Sequence, residues 1–203
     1  HRPKNTMNVI ISRLKLQSNQ MADQRLQDAF AVSIDRIIAM SMVHSRLYMS
    51  NDLSRIDLKD YLRELAMRLL TTHSLPGQRP ALVCDLDSEA VMIDVAINCG
   101  MIVNELVTNA LKHAFPSAKG GEIRIRLHRD AQGDIELAVS DNGQGLPAGF
   151  DPDHDGNLGH RLIRTLAYNS LHARLEFRSS PGVCCTLRFA ARALNGATVP
   201  PVP

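Results

Sequence analysis

The 203-residue sequence has no tryptophan, three tyrosines and five phenylalanines. That leaves little for base stacking and argues against a single-stranded nucleic-acid platform. An excess of positive charge is also missing. With 23 Lys and Arg against 21 Asp and Glu the net charge is +2, too weak to mark a phosphate-backbone interface, which shows as a concentrated basic face. No apolar run approaches the roughly 18 residues that cross a bilayer. The first residues also lack the apolar stretch and small-residue end of a leader. The expectation is a cytoplasmic protein that this segment does not tie to a membrane, with no nucleic-acid partner. The four cysteines, Cys84, Cys99, Cys184 and Cys185, have no C-x-x-C spacing. Neither a zinc site nor a disulfide framework is therefore indicated, and they read as small core hydrophobes.

What is present is periodicity. From His1 to about Gln20, Met7, Ile10, Ile11 and Leu14 recur at helical spacing. From about Gln24 to Ser50, Leu26, Phe30, Ile34, Ile37 and Met40 do the same. The short polar stretch Ser18-Asn19-Gln20 forces an antiparallel hairpin. Two helices leave an apolar stripe uncovered, and a second copy covers it most cheaply, which predicts a homodimeric four-helix bundle. Asn51 to Ile56 reads as a linker. Asp57 then caps a third helix with Leu58, Leu62, Leu65 and Leu69 on one stripe, ended by Pro76, Gly77 and Pro80.

The texture then changes. Ala81–Leu86 alternates as a strand, and Asp94–Phe115 reads as a helix. Ile123, Ile125 and Leu127 alternate with Glu122, Arg124 and Arg126, and Ile135–Val139 alternates again. A helix from about Leu158 to Leu171 follows a loop rich in Gly, Pro and Asp. Ala173–Arg178 and Cys184–Ala190 complete an α+β arrangement of one sheet with helices on one face. The division predicted is a helical hairpin over 1–53, an α/β layer over 54–191 and a disordered tail over 192–203, where Asn195–Pro203 is small residues and proline.

Three stretches can carry chemistry. On the helix from Asp94, a buried stripe of Val95, Cys99, Val103, Leu106 and Ala110 leaves Glu105, Asn109 and Lys112 in one row. A carboxylate can orient or deprotonate a nucleophile, an amide oxygen suits Mg²⁺, and an ammonium suits phosphate. The same row also suits a solvated helix face. Asp141-Asn142-Gly143-Gln144-Gly145-Leu146-Pro147 directly follows a strand. Its glycines let backbone approach a ligand, and Asp141 can accept from an exocyclic amine, although Asn-Gly also makes an ordinary turn. Gly156-Asn157-Leu158-Gly159 opens a helix, either as an anion site or as a plain entrance.

Together and in this order, NELVTNALKHAFP (104–116), DNGQGLP (141–147) and GNLGHRLI (156–163) resemble the N, G1 and G2 boxes of a shared ATP-binding domain. That GHKL domain occurs in histidine kinases, type II topoisomerases, Hsp90 chaperones and MutL proteins. HRPKN, RIIAMSMVHSRLY and LSRIDLKDYL are similar to the dimerisation and phosphoacceptor region of sensor histidine kinases of the HisKA_2 type, close to the HWE kinases. The resemblance extends from His1 to about Ala190. It implies a dimeric phosphoacceptor hairpin followed by a GHKL-type sandwich, with ATP and Mg²⁺ as cofactors. His1 would be the phosphoacceptor, Asn109 the principal Mg²⁺ ligand, and Glu105 a polarising carboxylate one turn before it. Lys112 and His113 would face the phosphates, and Asp141 would bind the adenine amino group. Gly143 and Gly145 would shape the adenine pocket, and Gly156 and Gly159 would line the phosphate side beneath a lid of about 148–157.

The chain departs from the family pattern in three places. His160 replaces a leucine and either reaches phosphate or changes how the lid packs. Pro181-Gly182-Val183 stands where a Gly-Thr is common, removing a hydroxyl. Asp151, Asp153 and Asp155 put negative charge in the lid. The implied activity is an ATP-dependent histidine autokinase that passes its phosphoryl group to an aspartate on a response-regulator receiver domain, with a sensor region upstream of His1. Arg2, not an acid, follows His1, so Glu105 is the candidate for orienting or deprotonating the imidazole. Two alternatives are a dimeric phosphotransfer scaffold with a weakened ATP site and a GHKL ATPase. His44 is the other helical histidine weighed as an acceptor. His73, His128, His154 and His172 are dispersed and suggest no metal cluster.

Overall fold

The computed structural model describes residues 2–47, 55–74, 79–116, 120–151, 155–179 and 181–190, with side chains from Met7 onward. His1, most of the expected linker, Asp153, His154 and the expected disordered tail lie outside the described residues.

The chain opens with helices α1 (Arg2–Asn19) and α2 (Gln24–Leu47). Asp23 starts α2: its carboxylate accepts from the Arg25 N–H at 2.8 Å, and its carbonyl accepts from Gln27 N at 3.1 Å. A side-chain oxygen at a helix start satisfies one of the otherwise orphaned amides. The predicted antiparallel hairpin is present. The face of α2 that is most buried differs from the expected stripe, because Ile34, Ile38, Ala39 and Val43 turn inward while Leu26 is exposed. What covers that face is the rest of the same chain.

Strand β1 (Arg55–Asp57) leads directly into α3 (Leu58–His73), with the Asp57 carboxylate accepting from Lys59 N at 2.9 Å as the expected cap. Arg55 and Ile56 are therefore strand, not linker. β2 (Ala81–Leu86) and β3 (Ala90–Met92) follow, and β3 pairs antiparallel with β1 in a small second sheet. Next come α4 (Ile93–Asn109), β4 (Glu122–Arg129), β5 (Ile135–Asp141), α5 (Leu158–Thr165), β6 (Arg174–Ser179) and β7 (Val183–Phe189). Two helices end differently from expectation, each in a π turn, Ala110–Ala114 after α4 and Leu166–Ser170 after α5.

The main sheet has the order β2-β4-β5-β7-β6 and is antiparallel except for β2 with β4. On β4, Ile123, Ile125 and Leu127 are fully buried whereas Arg124 and Arg126 are exposed, the period-two signature of a sheet covered on one face. The helices supply that cover, in agreement with the predicted α+β layering. A continuous core joins Ala39 and Val43 of α2, the inner face of α3, α4, and the sheet. Tyr61 ties the layers together by donating to the Ala39 carbonyl at 3.2 Å. It crosses α4 at Gly100, where any Cβ would collide with the phenol ring. The end of α4, the end of β5 and the start of α5 consequently meet at one rim.

Candidate nucleotide and phosphotransfer site

The last carbonyls of a helix have no partner within it. At the end of α4 two of them are taken by the loop after β5: Gln144 N donates to the Ala114 carbonyl at 3.0 Å and Gln144 Nε2 to the His113 carbonyl at 2.7 Å. The π turn Ala110–Ala114 is thereby pinned to the glycine-containing loop. Gly143 lies against Ala114 so closely that a side chain there would meet its carbonyl. Gly145 has φ +77°, and a Cβ there would also fall 2.8 Å from Ser179 Oγ. Ser179 Oγ in turn accepts from Leu146 N at 2.9 Å, holding the loop from the β6 side.

Between these parts lies a cavity of about 570 Å³. Asp141, at the end of β5, lines one side. Its Oδ1 accepts from Gly143 N at 2.9 Å and Val183 N at 3.3 Å. Burial raises its pKa above the ordinary carboxylate value, and the two N–H bonds oppose that rise. Among the described residues its Oδ2 has no partner, so it can accept an N–H from a ligand. The Val183 contact uses the backbone, so the missing hydroxyl at this position does not remove the support of Asp141.

Asn109 and His113 line the opposite wall, and His160 enters from the first turn of α5. The His160 ring lies 5.6 Å from Phe150 and 5.9 Å from Phe177, centroid to centroid. Asn157 Oδ1 caps α5 by accepting from His160 N at 3.1 Å and lies 3.1 Å from His160 Nδ1. An acceptor in that position fixes Nδ1 as the protonated nitrogen. Burial pushes the His160 pKa below its ordinary value, partly offset by the nearby Glu105 charge.

The predicted residues divide accordingly. Asn109, His113, Asp141, Gly145 and His160 line the cavity. Lys112 is exposed, Gly143 and Gly159 make close approaches to Ala114 and Glu105 from outside the lining, and Gly156 is not among the lining residues. Glu105 does not belong to a solvated face. It is buried, and Arg36 of α2 forks onto it, Nε to Oε1 at 2.8 Å and Nη2 to Oε2 at 3.1 Å. Gly159 is what lets α5 approach, since a Cβ there would lie 2.7 Å from Glu105 Oε2. His44 is exposed on α2, and the expected phosphoacceptor His1 lies outside the described residues. His73 pairs with Asp35 at 2.7 Å, and His128 lies between Asp85 and Asp87. Among the described residues no three His, Cys, Asp or Glu side chains converge as a metal site, and no helix is long and apolar enough to cross a membrane.

Comparison with known proteins matches this arrangement twice. A histidine kinase family model, HisKA_2, matches residues 1–73, and a model described as histidine kinase-, DNA gyrase B- and HSP90-like ATPase matches residues 95–193. The chain belongs to the sensor histidine kinases of the HisKA_2 type. The chain is 30% identical over 182 residues to the sensor histidine kinase PdtaS of Mycobacterium tuberculosis, covering 89% of itself and 36% of that protein. It is 28% identical over 171 residues to blue-light-activated histidine kinase 2 of Erythrobacter litoralis, covering 82% of itself and 48% of that protein. The chain thus spans about a third to a half of the length of these relatives. Its fold matches the histidine kinase domain of the Erythrobacter litoralis EL346 blue-light activated histidine kinase with a TM-score of 0.73 at 23% identity, over 95% of this chain and 90% of that one. Arg36, Gln144, Phe150, Phe177 and Ser179 are site residues that sequence reasoning missed. Arg36 and Gln144 lie within stretches quoted for the resemblance, but nothing local marks their partners.

Proposed function

We propose that this kinase chain is an ATP-dependent autokinase of a two-component system. It would phosphorylate His1 and pass the phosphoryl group to an aspartate on a response-regulator receiver domain. The observation that carries the reading is the cavity itself, with the open oxygen of Asp141 on one wall and Asn109 on the other. These residues fit Mg-ATP. A carboxylate braced by two N–H groups suits an adenine amino group, and Mg²⁺ characteristically takes few protein oxygens and completes its shell with phosphates and water. When bound, Mg-ATP supplies the γ-phosphoryl group and offsets its charge.

The chain's own residues do the rest. Asp141 orients the base, Asn109 presents its amide oxygen to the metal, and His113 with Lys112 sets positive or donor groups near the phosphates. Phe150, Phe177 and His160 exclude water from the cavity wall. Glu105 orients the His1 imidazole and takes its proton as the ring nitrogen becomes phosphorylated. The divisions 1–53 and 54–191 are then phosphoacceptor and catalytic units. Val9, Ile10, Leu16 and Leu26 expose 51, 42, 63 and 52% of their surface on the hairpin, which supports a homodimer formed through it. The reading places the reaction in the cytoplasm and the sensor upstream of His1.

Incubation with labelled ATP and Mg²⁺ tests this. The expected product is one acid-labile, base-stable phosphate, lost in His1→Ala and retained in His44→Ala. Label that survives in His1→Ala and vanishes in His44→Ala overturns the acceptor assignment. Nucleotide hydrolysis with no phosphoprotein favours a simple ATPase.

A further inference from the structure

The seam between α2 and the catalytic layer has an unusual composition. Two neighbouring residues of α2 carry opposite charges, and each meets its complement on a different helix. Asp35 pairs with His73 of α3 at 2.7 Å, and Arg36 forks onto Glu105 of α4 at 2.8 and 3.1 Å. Further along α2, Arg46 reaches Glu64 at 2.6 Å and the Asp60 carbonyl at 3.1 Å. The Glu105 side chain is only 6% exposed and that of Arg36 19%, so the pair is largely out of water.

The same seam leaves polar groups unsatisfied. At about 100° per residue, Asn104 and Thr108 fall on the arc of α4 between Gly100, which faces Tyr61 of α3, and Glu105, which faces Arg36 of α2. Asn104 Oδ1 and Thr108 Oγ1 are buried there without a hydrogen-bond partner among the described residues. Leaving such groups buried and unpaired is costly, and opening of the seam would return them to water. Beside the small apolar contact of Ala39 and Val43, that polar composition suits a contact that opens and closes.

We propose that Arg36 is a positioning residue for Glu105: it occupies both oxygens of the carboxylate while α2 is docked, and it must release Glu105 before His1 can be phosphorylated. The inference rests on the proposed role of Glu105 in that reaction. A carboxylate forked by a guanidinium has both oxygens engaged and its charge neutralised, so it is a poor acceptor for an imidazole proton. The hairpin geometry agrees. Arg36 contacts α4 from the middle of α2, whereas Arg2, next to His1 in the sequence, begins α1 toward the hairpin's open end. Separation frees Glu105, exposes Asn104 and Thr108 to water, and lets the nucleotide wall travel toward that end.

The test is autophosphorylation at saturating Mg-ATP, with the KM for ATP measured alongside, for the parent, Arg36→Gln, Arg36→Lys, Glu105→Gln and the Arg36→Gln/Glu105→Gln double variant. Thermal melts confirm that each is folded. Arg36→Gln is expected to raise the maximal rate by roughly tenfold with KM unchanged, as for loss of a contact made only in the resting state. Arg36→Lys keeps the charge and is expected to stay near the parent. The double variant is expected to be as slow as Glu105→Gln. An Arg36→Gln rate at or below the parent's overturns the inference, as does acceleration that persists without the Glu105 carboxylate. A parental rate in Glu105→Gln overturns instead the catalytic reading on which the inference rests.

Discussion

The hairpin and the α/β layer are built to different standards. In the layer, Ile125, Leu127, Ile135 and Leu137 are completely buried on the inner face of the sheet, beneath α4 and its neighbours. In the hairpin the strongly buried apolar residues are Ile34, Ile38, Ala39 and Val43, all on α2, while Val9, Ile10, Leu16 and Leu26 face outward. The layer therefore supplies most of the core. The hairpin joins it through Ala39 and Val43 of α2 and keeps α1 outside it. Ion pairs make up much of the α2 seam beside the apolar contact of Ala39 and Val43, and the apolar burial is the part that is hard to undo.

The sharpest break of this contrast is Leu137→Ala. It should cost the layer about 2–5 kcal/mol, because the site is closed on all sides. A drop in the main unfolding transition measured by calorimetry checks it. Asp141→Asn separates the layer's stability from its ligand. Asn can keep the Gly143 and Val183 bonds through its one oxygen, but its amide N–H then faces a ligand N–H. ATP affinity should fall roughly 10- to 100-fold while the melting temperature stays near the parent's. Calorimetric titration and a melt on the same sample report both. Tyr61→Phe attacks the seam between the two regions. Losing the bond to the Ala39 carbonyl should cost about 1 kcal/mol, seen as faster amide exchange in α2 with the sheet unaffected.

A smaller effect is expected from pH. The His160 pKa is depressed by burial, so the folded protein favours the neutral ring. The unfolded chain binds the extra proton more readily, hence this contribution is present above the ordinary value near 6.5 and is lost as pH falls through the folded value. Acidification from pH 7 should loosen the Phe150–His160–Phe177 cluster. The ring C–H shifts of His160 followed by NMR would show it, and an ordinary or raised pKa would remove the effect. Smallest of all, Leu16→Ala should leave the unfolding of the layer within about 0.5 kcal/mol of the parent. Sedimentation would detect its weakening of a hairpin dimer.

Much of the layer was legible because its signals are local. The alternation of Ile123, Ile125 and Leu127 with Arg124 and Arg126 needs no distant partner, and Asp57 caps α3 within two residues. The strands Arg55–Asp57 and Ala90–Met92 were not legible, since three residues carry no period and each is defined only by the other. The π turn after α4 is held by Gln144, far along the chain, and nothing in Ala110–Ala114 itself announces it. Glu105 shows the same limit at the site. Its spacing from Asn109 marked it for chemistry, but its burial depends on Arg36, 69 positions upstream. His160 stood out as a departure from the family pattern, and the structure supplies the reason it is tolerated: two aromatic rings and a capping asparagine receive it.

The uncovered face of the sheet sets how molecules of this kind can meet. Arg188 pairs there with Glu136 at 2.8 Å, Arg178 with Glu176 at 2.8 Å and Arg124 with Glu122 at 2.9 Å. Stacking one such face on another would strip water from each of these ions, which is unfavourable. In a crowded solution that side of the molecule glances off its neighbours. Among the described residues the large exposed apolar side chains lie on helical segments, so the proposed dimer through the hairpin is favoured by what the sheet refuses as much as by what the hairpin offers.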